Sequence, residues 1–201
     1  MAGERKLTLA DIADLRAYER ERAAFRDRVI ALKKNRRIQV GPIVTVMFEN
    51  RETIRFQIQE MARAEKIITD EGIQHELDTY NALIPDAGQL SATLFVELTS
   101  KDQLMEWLPK LVGIERSVEL VVGEGPGSYV VRSIPEESHE QQLTRPDVTA
   151  SVHYIRFELT PDQVERFATE PVVLAVNHDQ YIEGATLSQA SRNELLADLR
   201  G

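Results

Sequence analysis

At 201 residues, 42% hydrophobic and 28% charged, the chain has the size and balance of one globular domain that buries a core without disulfide or metal staples. It contains no cysteine, which excludes thiolate-held iron–sulfur clusters, a thiol nucleophile and a redox-active dithiol on this chain. The net charge of −9 is uneven: residues 1–40 carry 11 Lys+Arg against 6 Asp+Glu, giving +5 there and −14 over the rest. An acidic body disfavours nonspecific nucleic-acid binding, while the basic arm leaves room for a local anion site.

The N-terminus, MAGERKLTLADIADL, lacks the apolar core of a signal peptide, and no apolar run is long enough to cross a bilayer. The expectation is a cytoplasmic protein with no membrane partner. Thr8 and Asp11 mark a helix start, and Leu9, Ile12, Leu15, Tyr18, Phe25, Val29 and Leu32 recur at helical spacing. One or two helices are expected over 9–34, with the apolar stripe against a sheet.

The stretch from Leu32 to Glu65, LKKNRRIQVGPIVTVMFENRETIRFQIQEMARAE, holds a basic cluster, a Gly-Pro turn, a β-branched strand at 43–48 and a helix from Arg51 to about Ile68. Asn50 is placed to cap that helix. Gly72 is expected to end it, and Pro85 to close the helix that follows.

Further along, an order of elements recurs. The strand ATLFVEL (92–98), the capping box Ser100–Gln103 and a helix lead to the strand 118–122, a Gly-rich turn and 128–132. Then the strand HYIRFEL (153–159), the capping box Thr160–Gln163 and a short helix lead to the strands 172–176 and 181–187. VELTSKDQL against FELTPDQV points to a duplicated β–α–β–β unit. A crossover within one sheet would make each unit's first two strands parallel. The polar segment 134–149 reads as a linker containing His139, and a short helix through Leu195, Leu196 and Leu199 closes the chain. The predicted fold is α+β: a mixed β-sheet from two β–α–β–β repeat units, with N-terminal helices packed on it. Residues 1–88 form a helical region with one strand and the basic cluster, residues 89–201 the duplicated region, and the two make one compact domain.

Three functional readings stay open. In the first, Arg36, Arg37, Arg55, Gln59 and Arg63 form a polar surface that binds a ligand or partner, since guanidinium offers paired donors for carboxylate or phosphate. Arg55, Gln59 and Arg63 are spaced along one helical line. The same residues suit a surface network with neighbouring glutamates. In the second, Glu49, Glu60, Glu97, Glu158 and His153 supply oxygen and imidazole ligands to a metal. Glu49, Glu97 and Glu158 each end a strand just before a helix, and a pseudo-twofold would bring Glu97 and Glu158 to similar positions. Against this, His153 shares a strand face with Ile155 and Phe157 and reads as a hydrogen-bonded core residue. In the third, Lys33, Lys34, Arg36 and Arg37 bind nucleic acid, which the acidic body opposes. No P-loop, H-E-x-x-H or nucleophile elbow is present.

The Leu32–Glu65 stretch, with ELDTYNALIP (76–85), ATLFVEL (92–98), LVGIE (111–115) and VHYIRFELT (152–160), resembles a bacterial family known as domain of unknown function 3501. The resemblance covers nearly the whole chain in matching order and carries no established site residues. Members are often encoded near rubrerythrin and an iron–sulfur reductase-like protein. It therefore implies an accessory role beside a redox or peroxide-response system, with one of those proteins as partner.

Overall fold

The computed structural model describes residues 5–136 and 147–201. Among them, six α-helices each begin at a side chain that accepts a bond from the third residue onward, satisfying one of the free first-turn amides. They are α1 (Leu15–Lys33, cap Asp14), α2 (Arg51–Glu65, cap Asn50), α3 (Asp70–Tyr80, cap Thr69), α4 (Lys101–Lys110, cap Ser100), α5 (Pro161–Thr169, cap Thr160) and α6 (Gln189–Arg200, cap Ser188). Thr8 and Asp11 bond as expected, but they close only a 3-10 turn, Leu9–Asp11, ahead of α1. The helix from Arg51 ends at Glu65, earlier than predicted. Lys66 takes a left-handed conformation (φ 56°, ψ 43°) and its N–H caps Ala62 O. Gly72 ends no helix. It lies in the first turn of α3, where a Cβ would come within 2.5 Å of Ile67 Cγ2.

Among the described residues nine strands form two antiparallel sheets. The five-stranded sheet runs β1 (Arg37–Val40), β2 (Val44–Glu49), β3 (Gln89–Val96), β7 (Val152–Glu158), β6 (Ile134–Pro135). The four-stranded sheet runs β5 (Tyr129–Arg132), β4 (Val118–Val122), β8 (Val172–His178), β9 (Tyr181–Thr186). The α+β class stands, and the single mixed sheet does not. Every pair is antiparallel. The reason is that β3 and β4, like β7 and β8, lie in different sheets, so the crossover rule for parallel neighbours never applies. Each strand–helix–strand–strand run gives its first strand to the larger sheet and its hairpin to the smaller, and the runs pair with each other, β3 on β7 and β4 on β8. Residues 134–136 are not linker: β6 pairs with β7, and β5 and β6 are separated by Ser133 alone as the chain changes sheets. His139 lies outside the described residues.

One core fills the space between the sheets. Val44, Val46 and Phe48 of β2, Leu90, Ala92 and Leu94 of β3, and Ile155 and Phe157 of β7 meet Leu120, Val122, Leu174 and Val176 of the smaller sheet. These are alternate residues of each strand, as a period of two requires. Phe167 of α5 and Leu195 and Leu199 of α6 complete it. Backbone bonds place α6 beside the start of β3 (Gly88 N to Leu199 O, 2.8 Å) and α4 beside the start of β7 (Thr149 N to Leu108 O, 3.1 Å). A second apolar cluster, Ile54, Ile58, Leu77, Leu83 and Ile84 with Tyr154, packs α2 and α3 onto the outer face of the larger sheet. Helix α1 is displaced from its predicted place on the sheet. Its buried Tyr18, Phe25 and Val29 lie against Phe56 of α2.

Arg36 ties the start of this architecture to its end. Its side chain is 2% exposed and donates to both oxygens of Asp198 on α6 (2.6 and 3.1 Å) and to Glu194 (3.3 Å). Removing one member of a buried ion pair strands the other, at about 3–5 kcal/mol. The R36M variant is therefore expected to lose about 3 kcal/mol or more in urea unfolding, much of which R36M/D198M recovers. A loss below about 1 kcal/mol in R36M would mean that Asp198 finds another partner.

Candidate functional site

The predicted polar surface does not assemble as one surface. Arg36 is buried against α6, remote in its bonding from the others. Arg37 pairs with Glu97 and lies over the Phe95 ring. Arg55, Gln59 and Arg63 do share a line on α2, but that line faces the chain's own N-terminal segment. Arg55 Nε donates to Asp11 O (2.8 Å), with its guanidinium 4.9 Å from the centre of the Phe25 ring. Gln59 is fully buried; its Oε1 accepts from Ala13 N (2.8 Å) and its Nε2 donates to Ala13 O (3.1 Å), as a neighbouring strand would. Arg63 pairs with Glu19, and Arg51 Nη2 donates to Asp11 (2.5 Å). The stripe is a seam that straps residues 11–22 to α2.

Glu60 anchors the same seam. It accepts two bonds from Arg22 (2.7 and 2.8 Å) and one from the Tyr18 hydroxyl (2.7 Å). The Arg22 hydrogen bonds, helped by Tyr18, hold its carboxyl down at about 2 despite partial burial. Burial, with Glu60 alongside, raises the Tyr18 phenol in turn.

The remaining predicted metal ligands are dispersed, and each is engaged locally. Glu49 is buried and accepts from the hydroxyls of Thr53 (2.5 Å) and Thr93 (2.7 Å), joining α2 to the sheet. Glu97 accepts from Thr45 (2.7 Å) and pairs with Arg37, and Glu158 pairs with Arg156 (3.0 Å). Antiparallel pairing sets Gln89 opposite Glu158 and Phe95 opposite Val152. Glu97 and Glu158 thus sit at opposite ends of the β3–β7 pair, roughly 25 Å apart at ~3.4 Å per residue. His153 is a core residue, as its strand face indicates. Its Nε2 lies 2.9 Å from Thr149 Oγ1 and 3.0 Å from Ala150 O, and its Nδ1 lies 4.0 Å from Glu115. Among the described residues no three His, Cys, Asp or Glu side chains gather as a metal site.

What the sequence reading missed lies at the end of the seam. Between the 3-10 turn, the start of α1 and the α2–α3 hinge is a cavity of about 330 Å³. Leu9, Ile12, Ala62, Ile67, Ile68 and Ile73 supply its apolar lining, and Asp14, Arg16 and Asp70 are the charged residues beside them. Ile68 stands just before the cap of α3, where an apolar side chain ordinarily staples onto the fourth helical residue, here Ile73. Instead Ile67 occupies the space over Gly72, and Ile68 is 81% exposed. The only sequence signal was the Ile67–Ile68 pair between a helix end and a cap.

These features define a class: a two-sheet antiparallel α+β domain, helix-covered on the outer face of the larger sheet, with an apolar groove at a helix hinge. The chain belongs to the family described as Protein of unknown function (DUF3501), whose model matches residues 6–199. A protein of unknown function from Burkholderia pseudomallei, with a crystal structure at 1.90 Å, is similar at 36% identity and a TM-score of 0.87, over 96% of this chain and 99% of that one. No curated protein matches the chain. Among the described residues no helix is long and apolar enough to cross a membrane.

The Glu60 seam has a defined pH signature. A carboxyl at about 2 when folded, against 4.5 ordinarily, contributes stability that is complete above about 4.5 and lost as pH falls toward 2. E60Q should therefore be less stable than the parent at pH 6, with the gap closing as both are titrated to pH 2 by chemical denaturation. A gap that stays constant with pH would mean that the carboxylate contributes nothing beyond its packing.

Proposed function

We propose that the chain is a cytoplasmic accessory protein of a redox or peroxide-response system, acting by binding a partner protein. The observation that carries the reading is the apolar groove of residues 9–16 and 62–73 with Ile68 exposed at it. An exposed apolar concavity beside a charged rim is a feature of binding sites. The redox context is supported by what members of the family are encoded beside: rubrerythrin and an iron–sulfur reductase-like protein. With no cysteine, this chain supplies no thiol or thiolate-held cluster of its own, which suits a binding role beside a partner that carries the redox centre. The arginine line of α2 is a weaker candidate for the docking surface, because its side chains already bond residues 11–22.

The test is titration calorimetry of the purified protein with rubrerythrin and with the iron–sulfur reductase-like protein. One of the two is expected to bind, and I68D should weaken that binding by about tenfold or more, as truncation of an interface anchor does. The melting temperature should stay close to the parent's, since Ile68 is exposed. Binding unchanged by I68D would exclude the groove.

A further inference from the structure

The groove continues beyond its apolar pit. A second concavity shares Leu9 and Asp70 with the first and runs along α3 past Glu71, Gln74, His75 and Asp78. Asp70, Glu71, Gln74 and Asp78 fall on one side of the helix, spanning about 12 Å at ~1.5 Å per residue. All four are exposed. Across the two concavities the lining carries four carboxylates, Asp14, Asp70, Glu71 and Asp78, against one guanidinium, Arg16, and one imidazole, His75. Asp14 and Asp78 accept hydrogen bonds from Ala17 N and Gln74 Nε2, neutral donors that leave the carboxylate charge in place. The site is therefore an apolar pit that opens onto an acidic rail.

From this juxtaposition we infer that the groove receives a segment of a partner protein in which an apolar anchor residue is followed by lysine or arginine side chains. The anchor enters between Ile12, Ile67 and Ile73. The cations then lie along Asp70, Glu71 and Asp78, where opposite charges give specificity and speed the encounter. An acidic segment would place its charges against the rail and be rejected. The inference rests on the proposal that this groove is the docking site, and it specifies the chemistry of what docks.

The probes are two short fluorescent amphipathic peptides, one of leucine and lysine, the other with glutamate in place of lysine. Fluorescence anisotropy should show binding of the lysine peptide only, weakening as salt is raised. D70K/E71K/D78K should weaken it by roughly tenfold or more, and I68D likewise. The matched reversal D102K/E106K/E124K, outside the groove, should change it little and so controls for general attraction to an acidic protein. Failure of the lysine peptide to bind, equal binding of both peptides, or equal loss in the two triple reversals would each overturn the inference. If one of these occurs while I68D still releases the redox partner, the groove docks a partner of different chemistry. If I68D leaves the partner bound as well, the docking reading falls with it.

Discussion

The larger sheet is buried on both faces at its central strands, β2 and β3, and that constraint governs much of the polar chemistry of the molecule. Its inner face meets the second sheet in the usual apolar alternation. Its outer face lies under α2 and α3, so outward residues of β2 and β3 that would otherwise be wet are dry: Thr45, Glu49, Ser91 and Thr93 are all buried. A buried polar group needs a partner, or it costs about 1–3 kcal/mol. Glu49 meets this requirement with two hydroxyls, one from the helix above and one from the adjacent strand, and Thr45 with Glu97. Of the strand-end carboxylates, which look in sequence like members of a donor set, Glu49 links the sheet to its covering helix, while Glu97 and Glu158 pair with residues of the sheet itself.

Helix α1 stands one layer further out. It buries Tyr18, Phe25 and Val29, too little apolar surface to define its position alone, so directional contacts do much of the work. Phe25 is edge-on to Tyr18 (centroids 6.4 Å apart, planes at 88°) and to Phe56 (5.5 Å, 90°), arrangements in which a ring edge meets a ring face. The Arg28 and Arg55 guanidiniums lie over Phe25, and Gln59 grips the backbone of Ala13 from the buried side. The polar stripe of α2 is thus complementary to a basic and acidic helix from its own chain. This explains why α1 has alternating charge around a narrow apolar line.

What was legible in the sequence was local. The capping boxes at Ser100 and Thr160 place two helix starts correctly, because a cap is decided by residues three apart. The inward face of His153 follows from its alternation with Ile155 and Phe157. Strand partners were not legible, because pairing is non-local. The crossover rule presumes that two strands share a sheet, and nothing in the β3–α4–β4 segment states that it bridges two. The α2 stripe shows the same limit. Arg55, Gln59 and Arg63 were readable as an aligned donor set, but a guanidinium that can bind a ligand carboxylate binds Glu19 equally well. Only the fold decides which of the two is near.

The groove arises from a further local conflict. α2 stops at Lys66, a residue with a Cβ held in the left-handed conformation, which costs about 1–2 kcal/mol that glycine would avoid. The four residues between the helices then have room for one isoleucine inside, and Gly72 admits Ile67 there. Had Ile68 folded back as the staple, it would have covered Ile73 and closed the pit. A lone exposed isoleucine is ordinary on a protein surface. Here the exposed residue borders an apolar cavity, at the end of a seam that bonds the adjoining segment to α2, and beside a helix whose outer side is acidic. Strained backbone persists where the surrounding structure over-determines it, and such positions cluster at ligand clamps. The hinge thus combines strain, exposure and charge in one place, whereas the arginine stripe and the strand-end carboxylates are each held by contacts within the fold.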